Sequence, residues 1–235
     1  MILKLVLYSS LAGITVFIGA LLARAFNHQV KESPVKTEIV HTLIAFGGGV
    51  ILSALTLVLI PRGLETLSLW ELVISFSLGA FLFYIIEKQL AKIKGKVATL
   101  LAMLLDFIPE SIVLGAVFME DFKMATLLAV FIGLQNLPES FNSYREMALS
   151  GFKEKNILVI FFFLSFFGVG GALTGHYLLN DRPDITAHLM IFASGGILYL
   201  LFQDIVPESK LKNSYITSLG ATAGFIIGMI SEKVI

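Results

Sequence analysis

Eight apolar runs, each long enough to cross a membrane as a helix, occupy nearly the whole chain. They lie at roughly 3–24, 40–60, 69–87, 97–118, 124–144, 156–179, 187–206 and 213–231. A membrane-spanning helix needs about 20 predominantly apolar residues, and backbone polar groups inside a bilayer must be hydrogen-bonded within the protein. The sequence therefore predicts an all-α polytopic membrane protein, a single transmembrane domain over residues 1–235 with eight transmembrane helices.

The composition supports a membrane protein and narrows its chemistry. Apolar residues make up 57% of the chain and charged residues 14%, and there is no Cys, whereas soluble domains carry about 25% charged residues. The absence of Cys excludes disulfides, iron–sulfur clusters and thiolate zinc sites. A formal net charge of zero gives no reason to expect nucleic acid as a partner. The first run also resembles a signal peptide, but its apolar part is too long, so we expect a retained helix.

The Lys and Arg residues predict the orientation of the helices. Of the 17 basic residues, 12 fall in the odd-numbered loops and five in the even-numbered loops or near the termini. Short loops rich in Lys and Arg face the cytoplasm. We therefore expect the odd-numbered loops to be cytoplasmic and both termini to lie on the outer side of the membrane, which we take to be the cell (inner) membrane.

The sequence contains two pairs of similar segments. The second span reads Phe-Gly-Gly-Gly-Val-Ile-Leu from Phe46 and reaches Pro61, and the seventh reads Phe-Ala-Ser-Gly-Gly-Ile-Leu from Phe192 and reaches Pro207. Each Phe precedes its Pro by 15 residues, and the two spans cross in opposite directions. This pattern predicts inverted repeats, which are common in secondary transporters; simple close packing of small residues is the alternative.

The second pair of similar segments places acidic residues in the middle of the membrane. Spans four and five share Leu-x-x-x-Pro-Glu-Ser, at 105–111 and 134–140. By helix rise, Asp106 lies about 14 Å into its span, with Glu110 one turn further and Glu139 at comparable depth in span five. An ionised Asp at a helix centre costs about 2.5–3.5 kcal/mol. With no Lys or Arg predicted nearby, protons or a metal ion must neutralise these three carboxylates.

The spacing of the polar residues favours a metal ion. Asp106 and Glu110, and likewise Gln135 and Glu139, are four residues apart, so each pair lies on one face of its helix. Asn136 offers a further oxygen. The prolines within both motifs also leave the carbonyls four residues before them without a helical partner. The alternative is a Pro-kinked helix pair whose acids are protonated and hydrogen-bonded.

Other polar residues carry weaker expectations. His28 and His41 are predicted to be solvated or interfacial. His176 and His188 flank the loop after span six, and two interpretations of them are open: they capture metal at the entrance, or they simply lie at the membrane interface. Asp204 and Glu208 end span seven, where they either line an exit path or are ordinary helix-end charges.

These motifs resemble the ZIP (Zrt/Irt-like) family of metal-ion transporters, whose spans four and five carry His-Asn-x-Pro-Glu-Gly and His/Gln-Asn/Asp-x-Pro-Glu patterns. The resemblance extends to 46–61 and 192–209, and so covers most of the chain. It implies a 3+2+3 arrangement, in which spans one to three and six to eight are inverted repeats around spans four and five. It also implies movement of divalent metal, commonly zinc, into the cytoplasm.

The chain departs from the family pattern at three ligand positions. Glu110, Gln135, Asn136 and Glu139 match the family's ligands, whereas Asp106 stands where the family has His. Phe107 replaces an Asn that serves a second metal position, and span six has no carboxylate near residues 166–168 to complete that position. We therefore expect one metal position. The loss of His favours harder ions such as Mn²⁺ or Fe²⁺ beside Zn²⁺.

Together these observations predict a divergent ZIP-like transporter that is not an enzyme and has no resident cofactor. Its metal ligands would be Asp106, Glu110, Gln135, Asn136 and Glu139, and its substrate Zn²⁺, Mn²⁺ or Fe²⁺. Two alternatives remain open, an intramembrane metalloenzyme and a ZIP-like protein that binds metal without transporting it. The sequence also leaves open whether the chain forms a homodimer.

Overall fold

The computed structural model describes residues 1–90, 92, 98–212 and 214–235. Within these ranges the chain is helical and contains no β-strand, which confirms the predicted fold class at the level of an all-helical protein. Lys94 and Lys96 of the predicted Lys-rich loop, and Val97 at the start of the predicted fourth span, lie outside the described residues.

The helices follow the predicted apolar runs. In chain order they are α1 (Ile2–Gln29), α2 (Pro34–Ala54), α3 (Ile60–Thr66), α4 (Leu69–Leu90), α5 (Ala98–Val117), α6 (Phe122–Leu149), α7 (Glu154–Leu164), α8 (Phe167–Leu179), α9 (Pro183–Leu200), α10 (Val206–Ser209) and α11 (Ile216–Val234). Ser33 caps α2 by accepting a hydrogen bond from the N–H of Lys36, and Pro34 occupies the first helical turn, where a missing N–H costs nothing.

Five helical stretches in the described part of the chain are long and apolar enough to cross a membrane. These are Ile2–Gln29, Pro34–Thr66, Leu69–Leu90, Glu154–Leu179 and Pro183–Ser209. The other three predicted spans coincide with α5, α6 and α11.

Two short π-helical segments interrupt the long helices. One, Leu55–Leu59, joins α2 to α3, and the other, Leu201–Ile205, joins α9 to α10. Both lie at the same place in the first pair of similar segments, beginning nine residues after Phe46 and Phe192. Single-turn π segments inside helices are uncommon and occur frequently at functional sites.

The predicted sixth span, 156–179, lies within the stretch Glu154–Leu179 and is interrupted by a turn at residues 165–166 that the sequence does not predict. The chain leaves the helix between Leu164 and Phe167, so α7 and α8 are separate. Ser165 lies in the break, and its hydroxyl donates a hydrogen bond of 3.0 Å to the carbonyl of Phe161. This bond from Ser to the preceding turn is typical of a helix bend.

The helices pack in two related sets of pairs. α2 packs along α11 while α4 packs along α9, and α1 packs along α6 while α5 packs along α8. In the first set, Gly224 lies against the carbonyl of Phe46, and Gly79 lies against the carbonyl of Phe192. Small residues at these crossings let two helix backbones approach closely. α5 and α6 also pack against each other, which brings the two Pro-Glu-Ser motifs together.

Candidate metal centre

The candidate site lies where α5 and α6 pack together, in the interior of the bundle. Asp106 and Glu110 come from α5, and Gln135 and Asn136 come from α6; the exposed fractions of these residues are 4%, 1%, 0% and 0%. The carboxylate oxygens of Glu139, also on α6, are buried as well. The structure thus brings together the residues that the sequence predicts to be metal ligands.

Direct contacts link the two helices inside this cluster. The side-chain amide of Gln135 donates a hydrogen bond to a carboxylate oxygen of Glu110. The charges of Asp106 and Glu110 both interact with the carboxylate of Glu139. Asp106 also accepts a hydrogen bond of 2.7 Å from the backbone N–H of Phe107. Three acidic groups therefore lie close enough to influence one another in the interior of the bundle.

Several buried oxygen atoms in the cluster have no hydrogen-bond partner among the described residues. They are Oε1 of Gln135, Oδ1 of Asn136 and both carboxylate oxygens of Glu139. The amide nitrogen of Asn136 is unpartnered too. Buried polar atoms in proteins are nearly always paired, and an exception calls for an explanation. The oxygens are the donor type that divalent cations take, so a bound cation would satisfy them.

The acids also lack basic partners. The ion pairs that the described residues form are Arg24–Glu154, His28–Glu154, Lys36–Glu32, Arg62–Glu120 and Lys123–Glu232. None includes Asp106, Glu110 or Glu139. Uncompensated carboxylates are costly in a low-dielectric interior. The cluster therefore requires protons or an added cation, as the sequence predicts.

The prolines of both motifs lie inside continuous helices, Pro109 in α5 and Pro138 in α6. A proline has no N–H, so the carbonyls of Leu105 and Leu134 cannot make the usual helical bond to the residues four positions later. These two carbonyls immediately precede Asp106 and Gln135 in the chain. They add backbone oxygens to the side-chain donors at the same level of the bundle.

The described part of the chain contains no preformed metal site built from charged or sulfur ligands. Across the described residues, no group of three or more His, Cys, Asp or Glu side chains is arranged to hold a metal ion. The arrangement instead bonds Gln135 to Glu110 and leaves the carboxylate oxygens of Glu139 without a hydrogen-bond partner among the described residues. A cation here would take amide oxygens as well as carboxylates, and Glu110 would have to share its contact with Gln135.

A cavity of about 70 Å³ opens from one side of the cluster. It is large enough for several water molecules. Its wall includes Asp106, Glu139, Asn142, Ser143, Asp204 and Glu208. Both acids at the end of the seventh predicted span therefore share one cavity with two of the predicted ligands.

The far end of this cavity is held by bonds that join three helices. Asn142 on α6 donates a hydrogen bond of 2.7 Å to the carboxylate of Glu208 on α10. Nδ1 of His41 on α2 lies 2.7 Å from the backbone carbonyl of Glu208. Asn142 was not predicted as a functional residue. It lies seven residues after Gln135 on α6, and this spacing of two helical turns indicates the same helix face.

Phe107, which the ZIP resemblance aligns with a ligand of a second metal position, is an apolar residue inside the bundle. Its side chain is fully buried, and a Cβ on Gly168 of α8 would lie 2.8 Å from the Phe107 ring. The ring therefore packs directly against α8, next to the segment at 166–168 that has no carboxylate.

The histidines lie outside the cluster. His28 pairs with Glu154 at 3.0 Å, and Nδ1 of His188 lies 2.8 Å from the hydroxyl of Ser75. His41 contacts α10, as described above, and Nδ1 of His176 is buried without a partner in the described part of the chain. The central donor set thus consists of oxygen atoms.

Neither the models of known protein families nor the curated proteins give a match to this chain.

Proposed function

We propose that this protein transports divalent metal cations across a membrane through the buried cluster on α5 and α6, in the manner of a ZIP-like transporter. The observation that carries the proposal is the set of buried, unpartnered oxygens beside three carboxylates that have no basic partner among the described residues. A cation-binding cluster in the middle of a helical bundle, rather than at its surface, favours passage over storage.

The packing supports a 3+2+3 arrangement of eight spans with inverted repeats. If spans one to three correspond to spans six to eight, and span four to span five, the pair α2–α11 must correspond to α9–α4. The pair α1–α6 must likewise correspond to α8–α5. All four pairs are present, and the two π-helical segments obey the same relation. Inverted repeats of this kind place the substrate site near the midplane.

The cavity supports an inward direction of transport. In the orientation that the Lys and Arg distribution predicts, the end of the bundle with Glu208 faces the cytoplasm. The cavity connects Asp106 and Glu139 to that end. A cation released from the cluster would meet Asp204 and then Glu208, so its charge would be compensated along the way.

The donor set favours hard or borderline ions. Carboxylate, amide and carbonyl oxygens suit Mn²⁺, Mg²⁺ and Ca²⁺, whereas imidazole and thiolate ligands would favour Zn²⁺. We propose Mn²⁺ or Fe²⁺ beside Zn²⁺ as substrates. Glu110 and Glu139 would each bind the cation and take up a proton when it leaves, because their carboxylates are otherwise uncompensated.

A flux assay tests the proposal. Purified protein in sealed proteoliposomes should move Zn²⁺, Mn²⁺, Fe²⁺, Cd²⁺ or Mg²⁺, offered one at a time, faster than protein-free liposomes do. Metal that binds the protein but never enters the vesicle lumen would instead favour the intramembrane metalloenzyme or the transport-inactive metal-binding protein.

A further inference from the structure

The inverted repeat relates the two ends of the molecule residue by residue. A residue of span two corresponds to the residue 146 positions later in span seven, as Phe46 does to Phe192, and a residue of span four to the one 29 positions later in span five, as Glu110 does to Glu139. Applied to the cavity wall, this relation assigns each lining residue a partner at the opposite end of the bundle.

Four residues of the cavity wall have buried apolar partners. Asp204 corresponds to Val58, Leu200 to Ala54, Asn142 to Val113 and Ser143 to Leu114. Val58, Ala54, Val113 and Leu114 have exposed fractions of 3%, 1%, 0% and 1%. The Glu208 side of the framework thus holds the cavity, whereas these four counterparts are packed apolar side chains.

A surface depression of about 260 Å³ ends against this packed region. Val58 lies on its wall together with Arg62, Glu65 and Asp121. The depression lies at the end of the bundle opposite Glu208, because α6 runs from Asp121 at this end to Asn142 at the other.

The residue that corresponds to Glu208 carries the opposite charge. Arg62 stands 146 positions before Glu208, and its guanidinium lies 3.0 Å from a carboxylate oxygen of Glu120, in the turn between α5 and α6. The pair connects the end of span two to the helix pair that holds the site. At the other end, the hydrogen bond from Asn142 to Glu208 connects span seven to α6.

We propose that the Arg62–Glu120 ion pair is the lock that keeps the outer path to the metal cluster closed, and that this path runs past Val58 and Val113. The inference rests on the proposed transport function and adds the position of its second gate. Both side chains are partly exposed, 30% and 41%. Such pairs are weak, so the lock can open and close in each transport cycle.

Cysteine labelling tests the lock, because the chain has no native Cys. Val113→Cys reports on the closed side and Ser143→Cys on the cavity side, with Ala54→Cys as a second closed-side reporter. Each is placed in four backgrounds: unaltered, Arg62→Gln, Glu120→Gln, and the charge exchange Arg62→Glu with Glu120→Arg. The rate of reaction with a charged, membrane-impermeant thiol reagent is measured in lipid nanodiscs, where both faces are accessible.

Breaking the pair should raise the labelling rate of the closed-side reporters about twofold to fivefold, the range expected for a partly exposed ion pair. Labelling of Ser143→Cys should fall, and the charge exchange should restore both rates. Unchanged closed-side labelling, failure of the exchange to restore it, or a parallel rise at Ser143→Cys would each overturn the lock. The readout is labelling rather than metal flux. If the labelling rates change as expected but the protein moves no metal, only the transport proposal is rejected.

Discussion

The side-chain amide of Gln135 donates a hydrogen bond to the carboxylate of Glu110, and this bond joins α6 to α5 at the centre of the bundle. It uses the nitrogen of the amide and leaves Oε1 of Gln135 buried without a partner in the described residues. One residue therefore orients a carboxylate and offers an oxygen of its own to a cation.

Metal binding should stabilise the protein, and the stabilisation should depend on Gln135. A ligand at 100 times its Kd stabilises a folded protein by about 2.7 kcal/mol, so Mn²⁺ or Zn²⁺ should raise the Tm measured in detergent. Gln135→Met keeps the size of the side chain but removes both the bond and the oxygen. We expect the metal Kd to rise about 10–100-fold, as for the loss of a group that orients a ligand. Ser111→Ala, in the copy of the motif on α5, is the control and should keep the shift.

Asp106 should determine the choice between ions. Asp106→His replaces an oxygen donor with an imidazole, which suits Zn²⁺ better than Mn²⁺. The ratio of Zn²⁺ flux to Mn²⁺ flux should rise at least about tenfold, equivalent to about 1.4 kcal/mol. Parallel measurements with both ions in one proteoliposome preparation check this. An unchanged ratio would show that residue 106 does not contact the transported ion.

Gly47 should keep the cavity open beside the cluster. A Cβ at this position would lie 2.9 Å from Cγ of Pro138, and Gly47 lies on the cavity wall. Gly47→Ala should therefore shift the proline or fill part of the cavity, and slow metal release several-fold. Gly170→Ala is the matched control, because a Cβ there meets nothing within 4 Å. Equal flux in the two variants would contradict this role.

The repeat relation predicts paired effects on stability. A Cβ on Gly49 would clash with the carbonyl of Ala221, and a Cβ on Gly195, its partner 146 positions later, with the carbonyl of Phe76. Overpacking of this kind typically costs about 1–3 kcal/mol. Gly49→Ala and Gly195→Ala should lower the Tm by similar amounts, and Gly170→Ala should not. Strongly unequal shifts of the first two variants would argue against equivalent helix crossings.

The sequence predicted the centre of the site better than its surroundings. Residues four apart share a helix face, so Asp106 with Glu110 and Gln135 with Glu139 were predicted to form two polar faces. The Pro-Glu-Ser repeat lies on two spans that run in opposite directions, so these faces were predicted to meet. These contacts depend on helix geometry and chain order, which a sequence displays directly.

The remaining features depend on interactions that leave no local pattern. The π-helical segments change the register of α2 and α9 without changing the run of apolar residues, so hydropathy does not reveal them. The break at Ser165 requires knowing that its hydroxyl turns back to Phe161. The bond between Asn142 and Glu208 joins residues 66 positions apart in the chain, and only the packed bundle brings them together.

The flux of Mn²⁺ and Zn²⁺ through the Glu139→Ala variant tests the account most directly. The carboxylate of Glu139 is buried, has unpartnered oxygens and lies at the junction of the cluster and the cavity. Proteoliposomes containing this variant should show no flux above protein-free vesicles, while the detergent-solubilised variant keeps the elution volume and helical content of the unaltered protein. Undiminished flux through a folded Glu139→Ala variant would contradict the assignment of the transport site to α5 and α6.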